Sequence, residues 1–261
     1  DDTIHFIYEN FNNQETVDKG ATYIVSKKQR EKFSEFDKLM YVDDVHASVA
    51  KLSAIFYREI DESDSDLLND IKIGNNCKIS PTAVIKKGCC IGDNSVIKDG
   101  VVIDFNCKIG NNSLIEENSI ISNSIFGDNI RVGRNASVGQ RGFGFAIDKS
   151  KNHDIFHIGR VIVQSNVSIG SNCCIDRGSF GDTIIGENTY FDNMCHIAHN
   201  VHVGRNCVFA GMCGIAGSSI IGDNVMAGGQ AGISGHIKIG NNVRIAAKSA
   251  VFKNVSDNSS V

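Results

Sequence analysis

"VHVGRNCVFAGMCGIAGSSIIG" occupies residues 201–222, and its spacing decides the fold. Val203, Phe209, Ile215 and Ile221 recur every six residues. A period of six with one large apolar residue per unit does not follow the 3.6-residue turn of an α-helix. It fits short strands joined by tight turns, in which Gly, Asn and Asp take positive φ. Outward from this stretch, Ile185-Gly186, Val203-Gly204, Ile221-Gly222 and Ile239-Gly240 stand eighteen residues apart. Ile73-Gly74, Ile91-Gly92 and Ile109-Gly110 repeat the same interval, and Phe126-Gly127 falls one short. Three units of six make one triangular coil. The chain is therefore read as mainly β, a parallel β-helix over 67–255 with its aliphatics inward and coils about 4.8 Å apart.

Composition agrees with a chain that turns often: 26 glycines, one proline and no tryptophan in 261 residues. The net charge of −4 comes from interspersed acids and bases, which argues against a nucleic-acid partner. No apolar run reaches the ~18–20 residues that span a bilayer, so no stable membrane insertion is expected. A chain beginning at Asp1 is read as trimmed. The nine cysteines contain no C-x-x-C pair and are odd in number. Cys77, Cys89, Cys107, Cys173, Cys195, Cys207 and Cys213 each lie four residues after an aliphatic or Phe. They mark a recurring small-residue slot in a reduced, cytoplasmic protein.

The repeat is interrupted at about 140–158, in "QRGFGFAIDKSKNHDIFHIG", which must leave the coil. The aromatics Phe143 and Phe145 assign this excursion a binding role. Residues 1–66 lack the repeat and read as a small N-terminal α/β module. Strands are expected at 3–8, 21–25 and 38–42, and a helix carrying Val45, Val49, Leu52 and Phe56 after an Asp43-Asp44 cap. The acidic 59–66 reads as a linker, and 256–261 as a polar tail.

His196, His199 and His202 crowd one stretch. Residues six apart lie on different faces, so His196 and His202 cannot share a metal within one chain, and no metal site is assigned. Residues eighteen apart stack. Gly217 thus sits about 5 Å above His199, and His236 about 10 Å away on the same edge. A base, a backbone N–H with no side chain over it and a second polar group suit acyl transfer.

"GFGF" (142–145), "IGRVIV" (158–163), "IDRGSFGDTIIG" (175–186), "DNMCHIAHNVHVG" (192–204), "GIAGS" (214–218) and "GGQAGISGHIKIG" (228–240) occur in this order. Together they closely resemble the UDP-3-O-acylglucosamine N-acyltransferases of lipid A biosynthesis in Gram-negative bacteria. The resemblance implies a left-handed parallel β-helix of hexapeptide repeats assembled as a homotrimer. The implied acceptor is the 2-amino group of UDP-3-O-(3-hydroxyacyl)-glucosamine, a UDP-sugar lipid. The implied donor is a 3-hydroxyacyl thioester on the phosphopantetheine of acyl carrier protein, with no other cofactor. It implies His199 as base, Gly217 N–H as oxyanion donor and His236 as the second histidine. It also implies substrate contacts by Asp192, Asn193, His196 and Asn200, and by Tyr41 and His46 in the N-terminal module. Asp176 and Arg177 are read as structural or subunit contacts, and His202, His153 and His157 carry no role.

Two departures accompany the resemblance. In 41–52, Asp44 stands where the family has Asn, and His46 and Val49 where it has aromatics, which weakens a uridine clamp. The family continues past the β-helix into a helical extension, whereas this sequence ends at Val261. Either the sequence is truncated there, or docking of the acidic carrier protein relies on basic residues of the β-helix such as Arg131, Arg134 and Arg160. Another β-helix sugar acyltransferase, or a non-catalytic relative that only trimerises or binds the carrier, remains the alternative.

Overall fold

The computed structural model describes residues 3–7, 21–33, 38–57, 70–147 and 151–261. It divides into two compact units: Asp1–Arg58 with Gly144–Phe156, and Glu59–Phe143 with His157–Val261. The linker expected at 59–66 lies outside the described residues.

The larger unit holds three parallel sheets of nine strands each, most strands only two residues long. Neighbouring strands are eighteen residues apart where the repeat is regular, as in Phe191↔Phe209 and Ile197↔Ile215. The inward aliphatics stack into one continuous core, with Ile97, Ile103, Ile115, Ile121, Ile175 and Phe209 fully buried. Each such side chain contributes about 1.5–3 kcal/mol by leaving water. Ile73, in the first described coil, remains half-exposed because no described coil lies beneath it.

The turns show why the sequence needs Asn. Three positions after the inward residue the backbone enters the left-handed region, which Asn tolerates better than most residues. At one corner this position is Asn throughout: Asn76, Asn94, Asn112 and Asn129, then Asn166, Asn188, Asn206, Asn224, Asn242 and Asn258. Their side chains bond upward, as from Asn188 to Asn206 at 2.9 Å and Asn224 to Asn242 at 3.0 Å.

The cysteine slot is a donor slot. Cys77, Cys173, Cys207 and Cys213 aim their thiols at turn carbonyls of Gly92, Asp192, Gly222 and Gly228, at 3.1–3.2 Å. Ser95, Thr189 and Ser219 use hydroxyls the same way, on Gly110, Gly204 and Ser234. All nine cysteines are free. Burial pushes the Cys107 and Cys207 thiols up to about 12 and about 11, so they are inert as nucleophiles near neutral pH.

Residues 256–261 correct the expectation of a tail. Val255 and Ser260 bridge to Ile239 and Arg244, and Ala246 N–H donates to Val261 O, so the segment continues the coil.

In the smaller unit, strands Ile4–Ile7, Thr22–Ser26 and Leu39–Val42 form a parallel sheet over a core of Ile7, Tyr23, Val25 and Phe33. Helix Val45–Phe56 starts at Asp44, whose carboxylate accepts the Ala47 N–H at 3.0 Å. As a cap, Asp does the work of Asn. The excursion is a hairpin, Phe145–Ile147 against Asn152–Asp154, and it belongs to this unit. Ser53 on the helix accepts the Phe156 N–H at 2.9 Å, and the rings of Tyr57 and Phe156 lie 4.7 Å apart.

Candidate active site

His199 projects from the corner that follows strand His196–Ile197. Two positions past the inward residue, this corner runs Arg177, His199, Gly217, Gly235 in successive coils, following the pairings Ile175↔Ile197, Ile197↔Ile215 and Ile215↔Ile233. The His199 ring lies directly against Gly217. A Cβ on Gly217 would stand 2.8 Å from His199 Nε2, so any side chain there would displace the ring. His236 takes the left-handed position one residue on, and its N–H donates to Gly217 O at 3.0 Å.

The orientation of His199 is readable from its neighbour. Asn200 Oδ1 accepts the Ser179 N–H at 2.9 Å and the Ser179 hydroxyl at 2.7 Å, while Asn200 Nδ2 donates to Gly181 O at 3.3 Å. The amide is therefore fixed with its oxygen toward His199 Nδ1, 3.0 Å away. An oxygen can only accept, so Nδ1 carries the proton and Nε2 presents its lone pair beside Gly217. Thr183 completes the clamp by accepting the Asn200 N–H at 2.9 Å. Asn200, assigned to substrate by resemblance, is thus engaged in orienting His199.

Gly217 N–H is the second element. At the asparagine corner, the amide at the equivalent position is capped by a side chain from the next coil. Asn75 donates to Asp93, Asp93 to Asn111, Arg205 to Asp223, and Asp223 to Asn241, all at 2.6–2.8 Å. Above Gly217 the capping residue is Gly235, which has no side chain. Among the described residues no group accepts the Gly217 N–H.

Two irregularities of the coil meet at this corner. One follows Val138, where the register shifts at Gln140 and the chain departs for the hairpin. It returns with His157, whose ring touches that of His199 with centroids 5.2 Å apart. The other is the four-residue lengthening between Cys174 and His196, which supplies Ser179, Gly181 and Thr183. Sequence alone assigns His157 no role. Long-range return after an insertion leaves no periodic signal.

Asp176 is a buried carboxylate, 4% exposed, accepting Gln140 Nε2–H at 2.7 Å and lying 3.8 Å from His196 Nε2. Burial pushes its carboxyl above the usual range, opposed by His196, the Gln140 bond and His199. His196 is exposed on one sheet face and His202 on another. Among the described residues no group of three potential ligands converges as a metal site needs.

The remaining expected site residues fall elsewhere. Asp192 and Asn193 occupy the corner after Phe191, not that of His199, and both serve the turn. Asn193 Oδ1 accepts the Ser171 N–H at 2.8 Å and Asp192 accepts the Asn193 N–H at 2.7 Å. Phe143 is 83% exposed in the larger unit, while Phe145 is a half-buried strand residue of the smaller one. Tyr41 lines an open pocket of about 580 Å³ with Lys27, Asp43, Ser48 and Lys51, and His46 is not among its walls. Arg30 covers one face of the Tyr41 ring at 5.3 Å. The arginines expected to form an open basic patch are each neutralised: Arg131 by Glu116, Arg134 by Glu117 and Arg160 by Asp182, all at 2.9 Å. That correction follows from coil stacking, which sets acids beside these arginines across adjacent coils.

Residues 182–217 and 218–253 match the family described as bacterial transferase hexapeptide (six repeats), and 67–144 match the GMPPB C-terminal domain. Residues 182–253 thus carry the hexapeptide repeats of bacterial transferases, and the fold is the left-handed parallel β-helix. Over 86 residues it is 46% identical to UDP-3-O-acylglucosamine N-acyltransferase of Caulobacter vibrioides (strain NA1000 / CB15N), covering 33% of this chain and 25% of that protein. The same-named protein of Rickettsia akari (strain Hartford) is 47% identical over 83 residues, covering 32% and 24%. The matched stretch spans about a quarter of the length of these curated relatives. Among solved structures, UDP-N-acetylglucosamine acyltransferase from Campylobacter jejuni superposes with a TM-score of 0.61 at 31% identity, covering 68% of each chain.

Proposed function

We propose that this protein transfers a 3-hydroxyacyl chain from acyl carrier protein to the 2-amino group of UDP-3-O-(3-hydroxyacyl)-glucosamine in lipid A biosynthesis. The observation that carries the reading is the pairing at one corner of an oriented base with an uncapped N–H: His199 Nε2 beside Gly217. His199 Nε2 takes a proton from the amine as its nitrogen attacks the thioester carbon. The carbonyl oxygen gains negative charge and is held by Gly217 N–H. The intermediate collapses, the C–S bond breaks, and the leaving sulfur receives the proton from His199. Asn200 holds the productive tautomer throughout, and His236, two coils beyond, supplies a further polar contact to the substrates.

A homotrimer completes this site. Within one chain, Asp192 and Asn193 stand at a different corner from His199. Beside them runs an exposed apolar stripe: Tyr190, Val208 and Met226 on the sheet face, with Met194 and Met212 at the corner. A neighbouring copy covering that stripe with its His199 corner brings the acceptor contacts to the base. His196 lines the same cleft. The pocket at Tyr41 takes the uridine, with Lys27 and Lys51 toward the diphosphate and His46 outside the contact. Free thiols fit the cytoplasm, and among the described residues no helix is long and apolar enough to cross a membrane.

One observation favours a second reading. The solved structures it resembles include UDP-N-acetylglucosamine acyltransferases, so an acceptor hydroxyl is the alternative to an amine. The experiment offers wild type and His199→Ala both acceptors with 3-hydroxyacyl carrier protein. N-acylation of UDP-3-O-(3-hydroxyacyl)-glucosamine, reduced ~10²–10⁴-fold by the substitution, is expected. Transfer only to UDP-N-acetylglucosamine selects the second reading. No transfer from a folded wild type selects a non-catalytic relative.

A further inference from the structure

We propose that His157 is a positioning residue for the base: it holds the His199 ring in the orientation that aims Nε2 across Gly217. Its effect on rate rests on the acyl-transfer reading above; its geometry does not.

The hydrogen bond from His199 Nδ1 to Asn200 selects a tautomer but anchors only one atom of the ring. A half-buried imidazole so anchored can still tilt about χ1 and χ2 unless packing forbids it. His157 supplies that packing. It is 1% exposed, and its ring meets His199 edge-on with centroids 5.2 Å apart and planes at 67°. Gly142 closes the same side. A Cβ at Gly142 would stand 2.9 Å from His199 Cβ and 3.1 Å from His157 Nε2, so the absence of a side chain lets both imidazoles approach. Gly217 bounds the ring at Nε2 and Cε1. The base therefore sits in a slot built from two glycines and a buried imidazole. Gly142 and His157 flank the hairpin excursion, Gly144–Phe156, so the two ends of the insertion form one wall of the slot. Being buried, His157 acts through His199 and not on the substrates.

The test compares wild type, His157→Ala, His157→Gln and Gly142→Ala. In the acyl-transfer assay, His157→Ala is expected to lower kcat ~10–100-fold, as misplacing a reacting group by about 1 Å does, with KM for both substrates within about twofold. His157→Gln, planar and of similar reach, is expected to recover most of the loss. A second readout needs no turnover. The hydrogen-bonded Nδ1–H of His199 gives a downfield proton resonance, assigned by its disappearance in His199→Gln. It should broaden or vanish in His157→Ala and persist in His157→Gln. Gly142→Ala, which pushes a methyl between the two rings, should also abolish it, and this decides the matter if His157→Ala does not fold. An unchanged resonance in whichever of His157→Ala and Gly142→Ala is folded overturns the proposal, as does unchanged kcat in an active enzyme. If no form turns over but the resonance responds as stated, the positioning role stands and the acyl-transfer reading fails.

Discussion

Two corners of the same triangular coil make different use of one backbone. At the asparagine corner, ten described coils place Asn in the left-handed position, and a side chain from the next coil caps most of the preceding amides. At the His199 corner, the early coils carry Lys87 and Phe105 two positions past the inward residue, with Lys86 over the Phe105 ring at 4.6 Å. Later coils carry His199, then Gly217, then Gly235. The strands, register and hydrogen-bond ladder are the same. What differs is that two side chains are omitted above a histidine, which leaves an amide uncapped and makes room for the ring. The candidate site is built here largely by subtraction.

Restoring what was subtracted is the strongest way to break this comparison. Gly235→Asn should recreate the asparagine-corner cap over Gly217 N–H and lower kcat ~10²–10³-fold, the scale for losing one oxyanion donor. The control is Asp223→Ala, which uncaps Arg205 N–H at the other corner. It should cost about 1–2 kcal/mol in denaturant unfolding and leave kcat unchanged. Equal losses of activity in both variants would mean the corners are not distinct.

The donor slot offers a smaller effect. Cys207→Val should destabilise by about 1–3 kcal/mol, because it strands the Gly222 carbonyl, whereas Cys207→Ser should stay within about 1 kcal/mol of wild type. If Val is the better tolerated, the slot is apolar after all.

The third corner sharpens the contrast. Its left-handed positions change from Asn118, Asn135 and Asn172 to Met194, Met212, Gln230 and Lys248. Met pays for that conformation where Asn does not. Met212→Asn should therefore stabilise the isolated chain by about 1 kcal/mol while weakening self-association in sedimentation. A variant with unchanged association would remove the apolar stripe as an interface.

The smallest effect concerns charge. Glu117 is held down to about 2 by its backbone hydrogen bond and by Arg134 and Lys98. A depressed carboxyl contributes stability above its unfolded value of 4.5, and that contribution is lost as pH falls toward 2. Glu117→Gln should therefore flatten the melting temperature between those pH values and change nothing below them.

The periodic part of the molecule was legible because each coil repeats the same steric demand. The six-residue spacing alone located the strands of 203, 209, 215 and 221, the stacking of Gly217 over His199, and the separation of His196 from His202 onto different sheets. The cap at Asp44 and the helix after it were equally local signals. Non-periodic features were not legible. The hairpin at Phe145–Ile147 reads as an insertion in sequence, yet it joins the smaller unit through Ser53 and Tyr57. The arginines at 131, 134 and 160 read as a basic patch until coil stacking supplies their acids.

Sequence by itself determined the coil, its corners and which residues share an edge, because a repeat of identical short strands leaves the backbone one economical way to pair. Tertiary structure alone decided the state of His199. Ser179, Gly181 and Thr183 fix Asn200, Asn200 fixes the proton of His199, and His157 walls its ring. These contacts come from two insertions that interrupt the period, and a side chain brought back by an insertion has no position that spacing can foretell.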